Sequence, residues 1–177
     1  MAPRIAITGA PGSGKSQACR KIIERLKFSV GGMLSSDIRS QGVRTGFSIE
    51  DIATGKKGTL ASTGGMGPGV GKYRVDIADL ENIGVEAIRN GFDKDVILVD
   101  EVGPMELASP KFAGAVEAAL RLEKPVIVVL HLTSRHALAM RIRKEFDIFT
   151  LTAGNRELIV NNIVRIIEDF YADQARG

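Results

Sequence analysis

The sequence predicts an α/β fold: a three-layer αβα sandwich around a largely parallel sheet, with a β-hairpin inserted into it. Three observations lead there. Short apolar runs alternate with amphipathic runs of helical period over most of the chain. The apolar runs are continuous rather than alternating, which marks strands buried on both faces. The length of 177 residues, with 44% apolar and 25% charged, suits one domain over residues 1–177 with a real core.

The elements follow in order. Residues 4–8 are a strand, with β-branched Ile5 and Ile7. Residues 14–27 are a helix, because Cys19, Ile22, Ile23 and Leu26 recur at helical spacing. Residues 28–34 are a second strand that ends at Ser35-Ser36-Asp37. Residues 45–52 and 57–61 flank Ala53-Thr54-Gly55-Lys56 and read as the hairpin. A glycine-rich loop, 64–71, comes next. Residues 76–90 are a helix carrying Ile77, Leu80, Ile83, Val85, Ala87 and Ile88 on its apolar face, interrupted by Gly84. Val96-Ile97-Leu98-Val99 is a buried strand that ends in Asp100 and Glu101. Pro110 opens a helix to about residue 121, with Ser109 as its expected cap. Strand 125–130, helix 134–144, strand 147–152 and helix 156–171 complete the chain. The hairpin belongs to this single domain, and there is no internal repeat or long linker.

Composition excludes several classes. Cys19 is the only cysteine, so there is no disulfide scaffold. No apolar run approaches the roughly 20 residues of a membrane span. Met1-Ala2-Pro3-Arg4 leads straight into Ile5-Ala6-Ile7 with no signal-peptide pattern, so a cytoplasmic protein without membrane contact is expected, as is a monomer. Glycine reaches 20 residues and gathers in two clusters, at Gly9, Gly12 and Gly14 and again over residues 64–71. With no tryptophan and two tyrosines, stacking platforms for single-stranded nucleic acid are scarce. The net charge is +3 and the pI near 9.1. It is unevenly spread: residues 76–107 hold nine acids and two bases, whereas residues 131–144 hold Arg135, Arg141, Arg143 and Lys144 and no acid. Such a basic run either meets phosphates or is the wet face of a helix.

The strongest motif is Gly9-Ala10-Pro11-Gly12-Ser13-Gly14-Lys15-Ser16, the full GxxxxGK[ST] pattern of a Walker A phosphate-binding loop. It follows a buried strand and opens a helix, the context the motif requires. The glycines let backbone N–H groups turn inward around a phosphate, and the positive end of the helix adds to that field. Lys15 would bridge the β- and γ-phosphates, and the Ser16 hydroxyl would ligate Mg²⁺. Asp100 is placed as a Walker B aspartate supporting the metal. Glu101, one residue on, can accept a proton from an attacking water; the alternative is a surface carboxylate or a helix cap. Glu106 is a second acid nearby. Any one of Arg39, Arg44, Lys72, Arg74 and Arg135 can supply positive charge to the transferring phosphoryl group, with Arg44 the catalytic candidate. The loop 64–71 is either a lid over the nucleotide or a surface loop. Asn155 can bond a base edge or cap a helix, and Arg156 beside it can stack or lie along the surface. Cys19 reads as core packing, and His131 and His136 lack metal-ligand companions.

Over nearly the whole length the chain resembles the THEP1-type nucleoside-triphosphatases. The resemblance rests on the loop at 9–16, Arg44-Thr45-Gly46-Phe47, Gly71-Lys72-Tyr73-Arg74-Val75, Val99-Asp100-Glu101-Val102-Gly103-Pro104-Met105-Glu106-Leu107, and Asn155-Arg156. It implies a compact RecA-like P-loop NTPase fold and hydrolysis of ATP, GTP and other nucleoside triphosphates with Mg²⁺ and broad base selectivity. Lys15 and Ser16 would then hold phosphates and metal, Asp100 would support the metal and Glu101 would be the base. The NKxD segment by which small GTPases select guanine is absent. Two other readings stand beside hydrolysis. One is a nucleotide or small-molecule kinase, with segment 131–144 closing over the acceptor. The other is a nucleotide-regulated nucleic-acid-binding module, resting on the pI and the basic helix.

Overall fold

The computed structural model describes residues 1–177. Its strands are β1 (Arg4–Thr8), β2 (Val30–Ser40), β3 (Val43–Asp51), β4 (Lys57–Ser62), β5 (Gly69–Val70), β6 (Tyr73–Val75), β7 (Val96–Val102), β8 (Val126–Leu130) and β9 (Asp147–Thr150). Its helices are α1 (Lys15–Arg25), α2 (Ile77–Asp79), α3 (Glu86–Asn90), α4 (Pro110–Leu120), α5 (Ala137–Glu145) and α6 (Arg156–Arg176).

All nine strands form one sheet in the order β5-β6-β4-β3-β2-β7-β8-β1-β9. From β2 to β9 the neighbours are parallel, and from β2 to β5 they are antiparallel. The parallel half is buried on both faces because its residues alternate between two cores. On β7, Ile97 and Val99 face one core while Val96 and Leu98 face the other. On β8, Val128 and Val129 divide in the same way, as do Ala6 and Ile7 on β1. The first core is closed by Phe112 and Val116 of α4, Leu138 and Ile142 of α5, and Ile83 and Ile88. The second is closed by Ala18, Cys19 and Ile22 of α1 with Ile159, Val160, Ile163 and Ile167 of α6. Outside that core, Glu157 of α6 receives both Lys21 and Arg25 of α1. Arg4 fixes the start of β1 by donating to the carbonyl oxygens of Leu120 (3.0 Å), Leu122 (2.7 Å) and Lys124.

The expected hairpin is present as β3 and β4, but it is part of a larger antiparallel wing. β2 does not stop at Leu34. It continues to Ser40, turns at Gln41-Gly42 and pairs along its length with β3. Ser35-Ser36-Asp37 lies on this extension, where β3 satisfies the backbone and the side chains remain partly wet. The helix expected over 76–90 is continuous but uneven: α2 and α3 flank a π-helical segment, Leu80–Val85, and Asp76 caps the start by accepting from the Asp79 amide at 2.9 Å. Ser109 precedes α4 as expected, yet its hydroxyl makes no cap bond and instead donates to Glu81 Oε1 at 2.8 Å.

The loop 64–71 has a structural task. Gly67 packs so closely on β6 that a Cβ there would stand 1.9 Å from the Val75 carbonyl oxygen. The Val75 amide in turn donates to Pro68 O at 2.8 Å. The loop contains β5, the edge strand seven places along the sheet from β1, which the phosphate-loop motif follows, and the lid reading is not borne out by this placement. Gly67→Ala is expected to lower unfolding free energy by about 1–3 kcal/mol, because the only relief is to shift backbone. Urea denaturation checks this; an unchanged midpoint would show that the contact yields without cost.

Candidate functional site

The site lies where β1 and β7 end. Beyond Thr8 the chain turns through residues 9–14, and the Ser13 amide closes the turn on Ala10 O at 3.1 Å. Gly12 and Gly14 have φ of 78° and 92°, a conformation glycine adopts freely. Gly14 is the N-cap of α1, whose first turn holds no acid. The unpaired N–H groups and positive end of α1 therefore face the loop without internal compensation. Lys15 folds back over the loop and donates to Gly9 O (2.8 Å) and Ala10 O (3.1 Å). The Ser13 hydroxyl is buried in the same loop with no hydrogen-bond partner. A ring of donors with an orphaned hydroxyl is what an anion completes.

Ser16 reaches the second half of the site. Its Oγ donates to Asp100 Oδ2 at 2.6 Å, although β8 separates β7 from β1. Asp100 is only 2% exposed. Burial pushes its carboxyl up to about 7; the bond from Ser16 and the Ser35 backbone act against this, and Glu101 adds to it. Burial also raises Glu101, with the Lys15 ammonium opposing. Glu106 is 3% exposed and is pushed well above the usual carboxylate range, first by burial and then by Glu101. A Cβ placed on Gly103 would stand 2.8 Å from Glu101 Oε1 and 3.3 Å from Glu106 Oε2, so both carboxyl groups crowd one small volume.

Ser16 Oγ and Asp100 Oδ2 are hard oxygen donors side by side, and they fit Mg²⁺, which takes one or two protein oxygens with phosphate and water completing its shell. No group of three or more His, Cys, Asp or Glu side chains is arranged as an all-protein metal cage.

The structure thus brings together Gly9, Ala10, Gly12, Ser13, Gly14, Lys15, Ser16, Asp100 and Glu101, with Pro11 exposed on the rim. Of the other expected members, Arg44 lies elsewhere, and Asn155 stands in the turn before α6, next to Arg156. Arg44 donates to the Tyr73 hydroxyl at 3.1 Å, faces Asp37 at 3.7 Å and lies over the Phe47 ring at 4.9 Å. It is paired opposite Arg39, six residues past Met33 where β2 leaves β7, roughly 20 Å along the strand. Asn155 bonds within its own turn: Oδ1 accepts from the Thr152 amide at 2.7 Å and Nδ2 donates to Thr150 O at 3.0 Å, which leaves one N–H and one lone pair of the amide. Its side chain makes no cap bond to α6.

Cys19 is fully buried in the core, and burial raises its thiol well above its usual range. His136 accepts from the Leu138 amide at 3.1 Å and so caps α5. The basic run 131–144 is partly consumed: Arg143 donates to the carbonyls of His131, Leu132 and Ser134, and Arg141 pairs with Glu145. His131 ends up near Lys15, and burial followed by that ammonium lowers its pKa.

Two arginines beside the loop carry more than their sequence positions suggested. Arg20 donates to Ser36 Oγ at 2.8 Å and faces Glu50 at 3.6 Å, joining α1 to the wing. Its place one helical turn after Ser16 was the available signal. Arg156 lies against Gly14 and donates to Gln17 Oε1.

Comparison with known proteins gives the family and the fold. A profile of the NTPase family matches residues 4–164. The nucleoside-triphosphatase THEP1 of Methanosarcina acetivorans is 49% identical over 170 residues, covering 92% of this chain and 97% of that protein. The protein of the same name from Archaeoglobus fulgidus is 41% identical, with 93% and 99% covered. Among solved structures, THEP1 from Aquifex aeolicus superposes with a TM-score of 0.84 at 30% identity, over 93% of this chain and 98% of that one. A human cancer-related nucleoside triphosphatase gives 0.78 at 29% identity, with 95% and 98% covered.

The raised Asp100 carboxyl makes stability depend on pH in metal-free protein. Unfolded, it titrates near 4; folded, at about 7. The folded state holds the extra proton between those values, so this contribution is full below about 4 and lost as pH rises through about 7. Asp100→Asn removes the titration. In chelator, its melting temperature is expected to exceed the parent's at pH 8, with the gap closing toward pH 5. Parallel pH profiles for the two proteins would refute the assignment.

Proposed function

The chain belongs to the NTPase family, as its motifs anticipated, and from that membership we propose that it is an Mg²⁺-dependent nucleoside-triphosphatase. It cleaves the terminal phosphoanhydride bond of ATP, GTP and other nucleoside triphosphates, releasing the diphosphate and phosphate. The observation that carries this reading is the convergence of Lys15, Ser16, Asp100 and Glu101 at the ends of β1 and β7.

The backbone N–H groups of 9–14 and the start of α1 hold the phosphates, and they are aimed before the substrate arrives. On binding, Lys15 exchanges the Gly9 and Ala10 carbonyls for phosphate oxygens and stabilises charge on the leaving diphosphate. Ser16 and Asp100 would hold Mg²⁺, which supplies neutralisation of the β- and γ-phosphate charge. Glu101 orients a water toward the γ-phosphorus and accepts its proton as the new P–O bond forms and the bond to the β-phosphate oxygen breaks. Its raised pKa makes it a better base than a solvated carboxylate, while Lys15 keeps it from rising further. Burial of the cluster among β7 and its neighbours limits competing solvent. Broad base tolerance is supported by the absence of an NKxD segment.

Glu101→Gln is expected to reduce phosphate release by about 10²–10⁴-fold while ATP binding is retained. A variant that hydrolyses at the parent rate would remove Glu101 from the mechanism. Phosphate release without any acceptor, abolished by chelation, separates hydrolysis from transfer to an acceptor.

A further inference from the structure

Arg156 is the first residue of α6, a position where a cation opposes the helix dipole. Its neighbour Glu157 does not compensate it, being held by Lys21 and Arg25 of α1. Arg156 makes no ion pair. One hydrogen bond, to the neutral Gln17 Oε1, occupies one of its five N–H donors. The guanidinium nevertheless lies tightly on the phosphate loop: a Cβ on Gly14 would stand 2.5 Å from its NH1 nitrogen. Gly14 is the N-cap of α1. Two positive features thus converge, the start of α1, whose first turn holds no acid, and the guanidinium itself. Lys15 is adjacent. This arrangement is repulsive alone and favourable around an anion.

Topology says which anion. β8 and β7 lie on one side of β1, and β9 lies on the other. Asp100 and Glu101, which serve the terminal phosphate, end β7. Arg156 follows β9, so it stands across the loop from them. A triphosphate whose γ-phosphate faces β7 presents its α-phosphate to the β9 side.

Resting on the reading given under "Proposed function", we propose that Arg156 is a substrate-binding residue whose guanidinium holds the α-phosphate of the nucleotide. Gln17 orients the planar fork by accepting from one corner of it. The α-phosphate is common to substrate and product and takes no part in bond breaking. The contact therefore strengthens binding of triphosphate and diphosphate alike and does not change in the transition state.

The test compares parent, Arg156→Gln and Arg156→Lys. Calorimetry gives Kd for ADP, UDP and inorganic tripolyphosphate, and steady-state phosphate release gives kcat and KM for ATP. Arg156→Gln is expected to weaken all three ligands by a similar factor of about 10, to raise KM for ATP accordingly, and to leave kcat within about twofold. Arg156→Lys keeps the charge without the fork and recovers part of the loss. Loss confined to ADP, with UDP and tripolyphosphate unaffected, would overturn the proposal in favour of base stacking. Unchanged affinities would make Arg156 a surface residue, and a fall in kcat at unchanged affinity would place it at the terminal phosphate. A parent that binds ADP but releases no phosphate from ATP would sink the hydrolytic reading, while the affinities would still decide Arg156.

Discussion

The hydrogen bond from Ser16 to Asp100 is the joint on which the site depends. It links two strand ends that are not neighbours, since β8 lies between them. Two strand spacings, roughly 10 Å, must be bridged. The loop 9–14 does this by carrying the chain up and back, so that the first turn of α1 overhangs the end of β7. Everything that positions β1 against β8, including the Arg4 clamp and the alternating apolar residues of both cores, sets the length of that bond. The phosphate loop and the acidic strand end are therefore one object, held at fixed spacing by the parallel half of the sheet.

The cost of the arrangement falls on β7. Asp100, Glu101 and Glu106 crowd a poorly hydrated space, and each has its carboxyl pKa raised. A fold selected for stability alone would place apolar residues there. The cations beside the loop show the reverse excess, with Arg156 unpaired and Lys15 resting on carbonyls. Unlike charges thus stand on opposite sides of the cradle.

Much of this was legible in the sequence. The phosphate loop and Asp100-Glu101 could be read because each motif sits at the end of a continuous apolar run, and such runs have one structural meaning. The wing was harder. Ser35-Ser36-Asp37 has the composition of a loop, and only its partner strand makes it part of β2. Propensity cannot register a partner found by tertiary pairing. Arg44 and Asn155 have local partners, Tyr73 and the Thr150–Thr152 backbone, that residue type and spacing alone do not reveal. The second glycine cluster resembled the first in composition, yet it packs on β6. The basic run 131–144 was informative only in part, because Arg143 ties down the segment before α5 and Arg141 is neutralised by Glu145.

The open sheet has two rims. One is β5, two residues long, and the other is β9, four residues long, which begins with Asp147. Open edges of long strands recruit further strands from other molecules, and short, charged ones do not. By ending nine strands in such small pieces, the chain gives its sheet a built-in protection against edge-to-edge aggregation. Its exposed Ile148 would otherwise be a starting point for such growth.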